Sequence, residues 1–154
     1  MEITLLAVGR LRPSLRDVAD DYARRLGRHV KIREVEVKEA SRAPTAEAQR
    51  AEEGRRLVER LPPGAVLVAL ARAGAAWNSE ELAGAVSRWR LAARPMALAI
   101  GGSHGLGTDI LARASTCWSL GPLTLPHELA RVLVLEQLYR AFTILGGGKY
   151  HKGR

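Results

Sequence analysis

Nothing in this chain is apolar for long enough to cross a bilayer. The longest unbroken run, Ala65 to Ala71, falls far below the ~20 residues a spanning helix needs. The opening Met-Glu-Ile-Thr has neither the basic start nor the cleavage site of a signal peptide, so a cytoplasmic protein is expected. Cys117 is the sole cysteine, which excludes an intramolecular disulfide and agrees with a reducing compartment. The four histidines, His29, His104, His127 and His151, do not pair with Cys, Asp or Glu at metal-ligand spacing, so no metal is expected. Acids are scarce as well. Sixteen Asp and Glu face 24 Lys and Arg, a net charge of +8, which points to an anionic partner, nucleic acid rather than lipid. After Glu128 the chain carries Arg131, Arg140, Lys149, Lys152 and Arg154 against Glu136 alone.

What remains is an ordinary globular composition. At 154 residues, 47% hydrophobic and 26% charged, the chain fits one domain spanning residues 1–154, with enough apolar side chains for a core. Met1 to Val8 reads as a strand. Ser14 is the expected N-cap of a helix with Leu15, Val18, Ala19, Tyr22 and Leu26 on one face, ended by Gly27. From Val30 to Val37 the apolar alternation slips by one between Ile32 and Val35, which predicts a strand with a bulge or at an edge. The basic loop Lys38 to Pro44, a weak candidate for phosphate contacts, leads to Thr45, the expected cap of a mostly solvated helix reaching about Arg60. Ala65 to Leu70 and Met96 to Ile100 are continuous apolar runs, as in strands buried on both faces. Between them Asn78 or Ser79 caps a helix with Leu82, Val86 and Trp89, giving the length a parallel crossover requires. A short helix from about Thr108 to Ala114 and a strand from Thr116 to Ser119 follow.

In a parallel α/β sheet ligands bind outside the carboxyl ends of the strands. The loops at Leu70 to Trp77, Gly101 to Gly107 and Leu120 to His127 should therefore converge on one pocket. Familiar phosphate loops do not account for it. No Gly-Lys-Ser/Thr follows Gly101-Gly102-Ser103-His104-Gly105, and Gly105-Leu106-Gly107 is followed by Thr108-Asp109-Ile110 where the dinucleotide fingerprint needs another glycine. Ser103 is not in a nucleophile elbow, so a hydrolase is disfavoured. The third loop is distinctive. Pro122 and Pro126 lack amide donors and fix their own φ, leaving a stiff segment whose neighbouring amides and carbonyls are free to hold a small ligand. The long helix after it carries Leu129, Val132, Leu133, Glu136, Tyr139, Arg140 and Thr143 on one stripe, an apolar face interrupted by polar residues, as at an interface or a site. The tail from Gly146 to Arg154 joins glycines, an aromatic and three cations, the makings of an RNA contact.

Together these residues resemble a known family. Ile100-Gly101-Gly102-Ser103-His104-Gly105, Trp118-Ser119-Leu120, Leu123-Thr124-Leu125-Pro126-His127, Leu138-Tyr139-Arg140-Ala141 and Tyr150-His151-Lys152 are similar to motifs of the SPOUT-class methyltransferases that modify N3 of a pseudouridine in helix 69 of large-subunit ribosomal RNA. The likeness covers the whole chain. Two positions depart from the common pattern: Ala71 replaces an acid on the first loop, and Lys149 stands where a proline commonly precedes Tyr-His.

The resemblance implies a single-domain parallel α/β sheet with helices on both faces and a C-terminal trefoil knot, a homodimer, and S-adenosylmethionine (SAM) as cofactor, with ribosomal RNA, in the assembled ribosome, as partner. By position it implies cofactor contacts from Leu70, Gly101, Gly102, Gly105, Gly121, Pro122, Leu123, Thr124, Leu125 and Pro126. Tyr150, His151, Arg140 and His127 become the expected catalytic residues. His151 and His127 are candidate bases for the ring N3 proton, while Arg140, Lys152 and Arg131 are candidate cations favouring the ring anion. Arg131, Lys149, Lys152 and Arg154 are the expected RNA contacts. The competing reading is a non-catalytic ribosome-associated RNA-binding factor, which needs no cofactor.

Overall fold

The computed structural model describes residues 1–152; Arg154, expected among the RNA contacts, lies outside the described residues. Five parallel strands form one sheet: β1 (Glu2–Val8), β2 (Lys31–Val37), β3 (Val66–Ala75), β4 (Met96–Ile100) and β5 (Thr116–Trp118), in the spatial order β2-β1-β4-β3-β5. Among the described residues no helix is long and apolar enough to cross a membrane.

The central strands are the continuous apolar runs. All five residues of β4 are buried, as are Ile3 to Val8 of β1, because helices cover both faces of the sheet. On one face Ile3, Leu5, Val68 and Leu98 pack against α1 (Pro13–Leu26), α3 (Ser79–Ala92) and α5 (His127–Leu145). On the other, Leu6, Val8, Leu67, Ala97 and Ala99 meet Leu57 of α2 (Ala46–Val58) and Ile110 of α4 (Thr108–Arg113). Helix α5 lies against both α1 and α3 through Val134, Leu135, Leu138, Ala141 and Phe142. The interrupted stripe lies beside this buried face, where Leu133, Glu136, Tyr139 and Arg140 are half-buried.

Local signals and local structure agree at most caps. The Thr45 hydroxyl accepts from the Ala48 amide at 3.0 Å, and Asn78 closes a capping box with Glu81, each satisfying amides the first helical turn leaves free. Helix α1 starts differently from expectation. Pro13 occupies its first turn and Arg12, not Ser14, is the N-cap, with no side-chain cap of its own. The Arg12 amide instead donates to Glu128 Oε1 at 2.5 Å, so a carboxylate from α5 takes the role that a local side chain usually fills.

One irregularity of the sequence pattern is met as an edge position and another appears elsewhere. Strand β2 is at the edge with an unbroken register from Glu2↔Lys31 to Val8↔Val37, so its alternation slips without a bulge. The out-of-phase acids Glu34 and Glu36 serve instead as partners for Arg16 and Arg131. The irregular pairing falls between β3 and β5, where both Leu70 and Ala75 pair with Trp118. Strand β3 thus runs on to Ala75, bowing outward through Ala71 to Gly74 and returning. Gly74 is required at the return, since a Cβ there would sit 2.6 Å from the Cys117 carbonyl carbon and oxygen. Helix α2 is also less solvated than its charges suggest, with Leu57 fully buried and Glu53 only 1% exposed.

Replacing Leu138, fully buried in the middle of α5, by alanine should cost about 2–5 kcal/mol, a cavity plus the lost transfer energy. Urea unfolding of Leu138→Ala, with an unchanged slope and a lower midpoint, checks this.

Candidate active site

The carboxyl ends of β3, β4 and β5 open into a cavity of about 290 Å³. Its floor is apolar, made by Leu70, Ile100, Trp118 and Leu120. Its walls are the glycine-rich loop after β4 and the proline-flanked loop after β5. All of the expected cofactor residues line it except Pro122 and Pro126. Ala71, Arg72, Ser103, His104, Trp118 and Ala130 also line it and were not among the expected cofactor contacts. Ala71, Ser103 and His104 are next to an expected contact and Ala130 is one helical turn from His127, so proximity along the chain is the signal that could have found those four.

The loop after β4 is a tight reversal. Gly102 and Gly105 form an isolated antiparallel bridge, with the Gly105 amide donating to the Gly102 carbonyl at 3.0 Å. A Cβ on Gly101 would lie 2.6 Å from the Gly105 carbonyl oxygen, so the two backbones can approach only without a side chain. Gly105 holds φ +74°, the left-handed region open to glycine. After β5, the Ser119 hydroxyl accepts from the Gly121 amide at 3.1 Å, which turns the chain into the loop at Gly121 (φ +117°). The amides of Leu123, Thr124 and Leu125 make no backbone hydrogen bond among the described residues. They are donors available to a ligand edge. No carboxylate lines the cavity among the described residues.

His127, at the first position of α5, lines the same cavity, its Nε2 3.9 Å from Glu39 Oε1. Glu128 beside it is held below the usual carboxylate range by the Arg12 side chain and amide. The remaining catalytic candidates are elsewhere. Arg140 lies thirteen positions along α5 from His127, about 20 Å at 1.5 Å per residue. Its guanidinium contacts Glu136 Oε1 at 2.6 Å and covers the Tyr150 ring at 5.0 Å from the centroid. Tyr150 opens a short 3₁₀ helix, Tyr150–Lys152. Its hydroxyl donates to Glu136 Oε1 at 3.1 Å, and its ring packs on Tyr139 at 4.7 Å. The glycines before it do not leave the tail as a free arm. The Gly146 and Gly148 amides donate to Phe142 and Thr143, folding the chain back along α5. His151 is half-buried, and Lys149 and Lys152 are exposed.

Arg131 must be removed from the expected RNA contacts and from the cations facing a substrate. Its side chain is only 3% exposed; Nη2 lies 2.8 Å from Glu36 Oε2 and 3.4 Å from the Gly9 carbonyl, and Nη1 3.9 Å from Glu34 Oε2. Two carboxylates of β2 hold it inside the protein, where no phosphate can reach it.

A family model described as predicted SPOUT methyltransferase matches residues 1–151. The chain belongs to the SPOUT methyltransferase family. It is 41% identical over 155 residues to a protein of Azotobacter vinelandii named ribosomal RNA large subunit methyltransferase H, covering 99% of this chain and all of the relative, and equally so to its namesake from Pseudomonas entomophila. Among solved structures its fold is similar to that of a probable methyltransferase from Bordetella pertussis (TM-score 0.55, 18% identity, 91% of this chain and 95% of that one). It is also similar to a putative methyltransferase from Legionella pneumophila solved with bound SAM (TM-score 0.52, 14% identity, 92% and 66%). The five-stranded parallel sheet flanked by helices is thus the SPOUT fold, as expected.

Two measurements check the geometry of this SPOUT protein. Gly101→Ala should force the Gly105 backbone aside and lower the midpoint of a thermal melt by about 2–4 °C or more, with the transition still cooperative. Burial, hydrogen bonding to Tyr22 and the negative charge of Glu136 together push the Tyr150 phenol above its ordinary range. Its neutral form is therefore favoured by folding, so its contribution is fully present below about pH 10 and is lost as pH rises further. Absorbance titration at 295 nm should show one of the three tyrosines lagging, and Tyr150→Phe should remove the lagging component.

Proposed function

We propose that this protein is a SAM-dependent methyltransferase acting on N3 of a pseudouridine in helix 69 of large-subunit (23S) ribosomal RNA, in the assembled ribosome. The observation that carries the reading is the convergence of three strand-end loops on one cavity with an apolar floor and free backbone donors. The full-length relatives named as ribosomal RNA methyltransferases support the substrate class, and the resemblance of the motifs supplies the nucleotide.

The cavity suits the adenosine end of SAM. Leu70, Trp118 and Leu120 offer an apolar surface for a ring, while the Leu123 to Leu125 amides match a heterocycle edge. Gly105 and Gly121 keep the walls open, since a Cβ on either would meet nothing within 4 Å. When bound, SAM supplies an already activated methyl group. The protein's own task is then alignment and water exclusion. Leu123, 75% exposed at the mouth, is placed to cover a bound ring. His127 is the candidate base on the cavity side. Arg140 and Lys152 supply positive charge that favours the N3 anion, and Tyr150 acts as a hydrogen-bond donor or stacking surface rather than a base.

These groups lie about 20 Å apart within one chain, more than a hydrogen bond or a single side chain can span. A homodimer resolves this: a second copy running antiparallel along α5 sets its Tyr150, His151 and Arg140 opposite the first copy's cavity. In this reading the segment from β5 through α5 threads the trefoil knot of the family, and the protein works in the cytoplasm as one domain.

Mass spectrometry of large-subunit RNA nucleosides, from cells with and without the gene, tests the reaction. The methylated pseudouridine should vanish with the gene. Truncation after Lys149 should abolish methylation while leaving SAM affinity within about twofold; equal loss of both would remove the tail from the mechanism.

A further inference from the structure

Burial of Arg131 leaves the cavity without its expected phosphate contact, and the tail cations are far away in the same chain. The parallel sheet supplies another set. Because all five strands point the same way, their carboxyl ends make one rim about 20 Å long, four inter-strand spacings of ~4.8 Å. In the spatial order β2, β1, β4, β3, Lys38, Arg10 and His104 follow the ends of their strands and Arg72 lies in the outward bow of β3. All four are exposed. None of their side chains makes a hydrogen bond or ion pair among the described residues. Arg72 and His104 line the cavity itself, so the row begins at its mouth and leads away across β1 to the far edge at β2.

The nearby acids are mostly engaged elsewhere. Glu128 is held by Arg12, Glu36 by Arg131, and Glu53 is buried beneath the Gly102 turn. Glu39 lies within the row, next to Lys38, with its carboxylate beside Gly9 and 3.9 Å from His127 Nε2, one negative charge against Arg10, Lys38 and Arg72. A base entering the cavity brings its own phosphates to this rim, where desolvating them without cations is unfavourable.

We infer that the carboxyl rim of the sheet is a phosphate track for the RNA strand that delivers the target base, with Arg72, Arg10 and Lys38 contacting its phosphates in turn and His104 donating between them. This rests on the RNA-methyltransferase reading. It adds Arg10, Arg72 and His104 to the RNA contacts and orders the strand: it leaves the cavity over β3 and β4 and runs towards β2.

The test compares Arg10→Ala and Arg72→Ala with Arg90→Ala, an equal loss of charge at the opposite end of the sheet, where Arg90 ends α3 near Met1 and Lys31. Affinity for assembled ribosomes lacking the methyl mark is measured from about 50 to 200 mM salt. Each rim substitution should lower the slope of log affinity against log salt by about one, and Arg90→Ala should leave it unchanged. Equal slopes for all three variants, with methylation by the unaltered protein intact, overturn the phosphate track alone. An unaltered protein that neither binds nor methylates these ribosomes overturns the track together with the function it rests on.

Discussion

The burial of α5 against its neighbouring helices and the sheet fixes the distance between the candidate residues at its two ends. Leu135, Leu138 and Ala141 are fully buried between α1 and α3, so the helix cannot shift without opening the core. Its first residue, His127, is thereby fixed at the mouth of the cavity, and Arg140 and the folded-back tail are fixed at the other end. The separation between them follows from helical rise and cannot be closed within one chain. In the proposed dimer a second copy brings the other end of the helix to the same substrate.

The start of α5 is held by charge as well as by packing. Glu128 bonds the Arg12 backbone and side chain, and Arg131, one turn on, is enclosed by Glu36, Glu34 and the Gly9 carbonyl. These contacts tie the cavity-side end of α5 to the loop after β1 and to the edge strand. Removing one member of such a buried set leaves a partner uncompensated, which is why its charges are conspicuous in β2, a strand that otherwise reads as irregular. The same arrangement leaves Arg10, next to Gly9, directed to solvent at the rim. Charge that stabilises the fold and charge free to meet RNA thus alternate along one short segment.

The cavity's construction depends on backbone approach more than on side chains. Gly101 against Gly105 and Gly74 against Cys117 bring segments closer than any Cβ allows. The amides of Leu123 to Leu125, between two prolines, belong to residues that line it and make no backbone hydrogen bond among the described residues. A ligand recognised in this way is read by shape and hydrogen-bonding edges, consistent with a lining that holds no carboxylate among the described residues.

The strands, their parallel type, the caps at Thr45 and Asn78 and the converging loops after β4 and β5 were legible in the sequence because each follows from nearest-neighbour chemistry: apolar runs, capping side chains, glycine and proline. The expected first loop, Leu70 to Trp77, is instead mostly a continuation of β3. The motifs at Gly101 to Gly105 and Leu123 to His127 also carried the family. The sequence could not tell that Arg131 is enclosed while Arg10 and Arg72 are free, since three arginines in polar surroundings look alike until strands distant in the chain bring acids to one of them. Nor could it cap α1 with Glu128, 116 residues away, or separate His127 from Tyr150. Those were decided only by the packing of α5 across the sheet, because long-range pairing and helix length fix distances that no local pattern records.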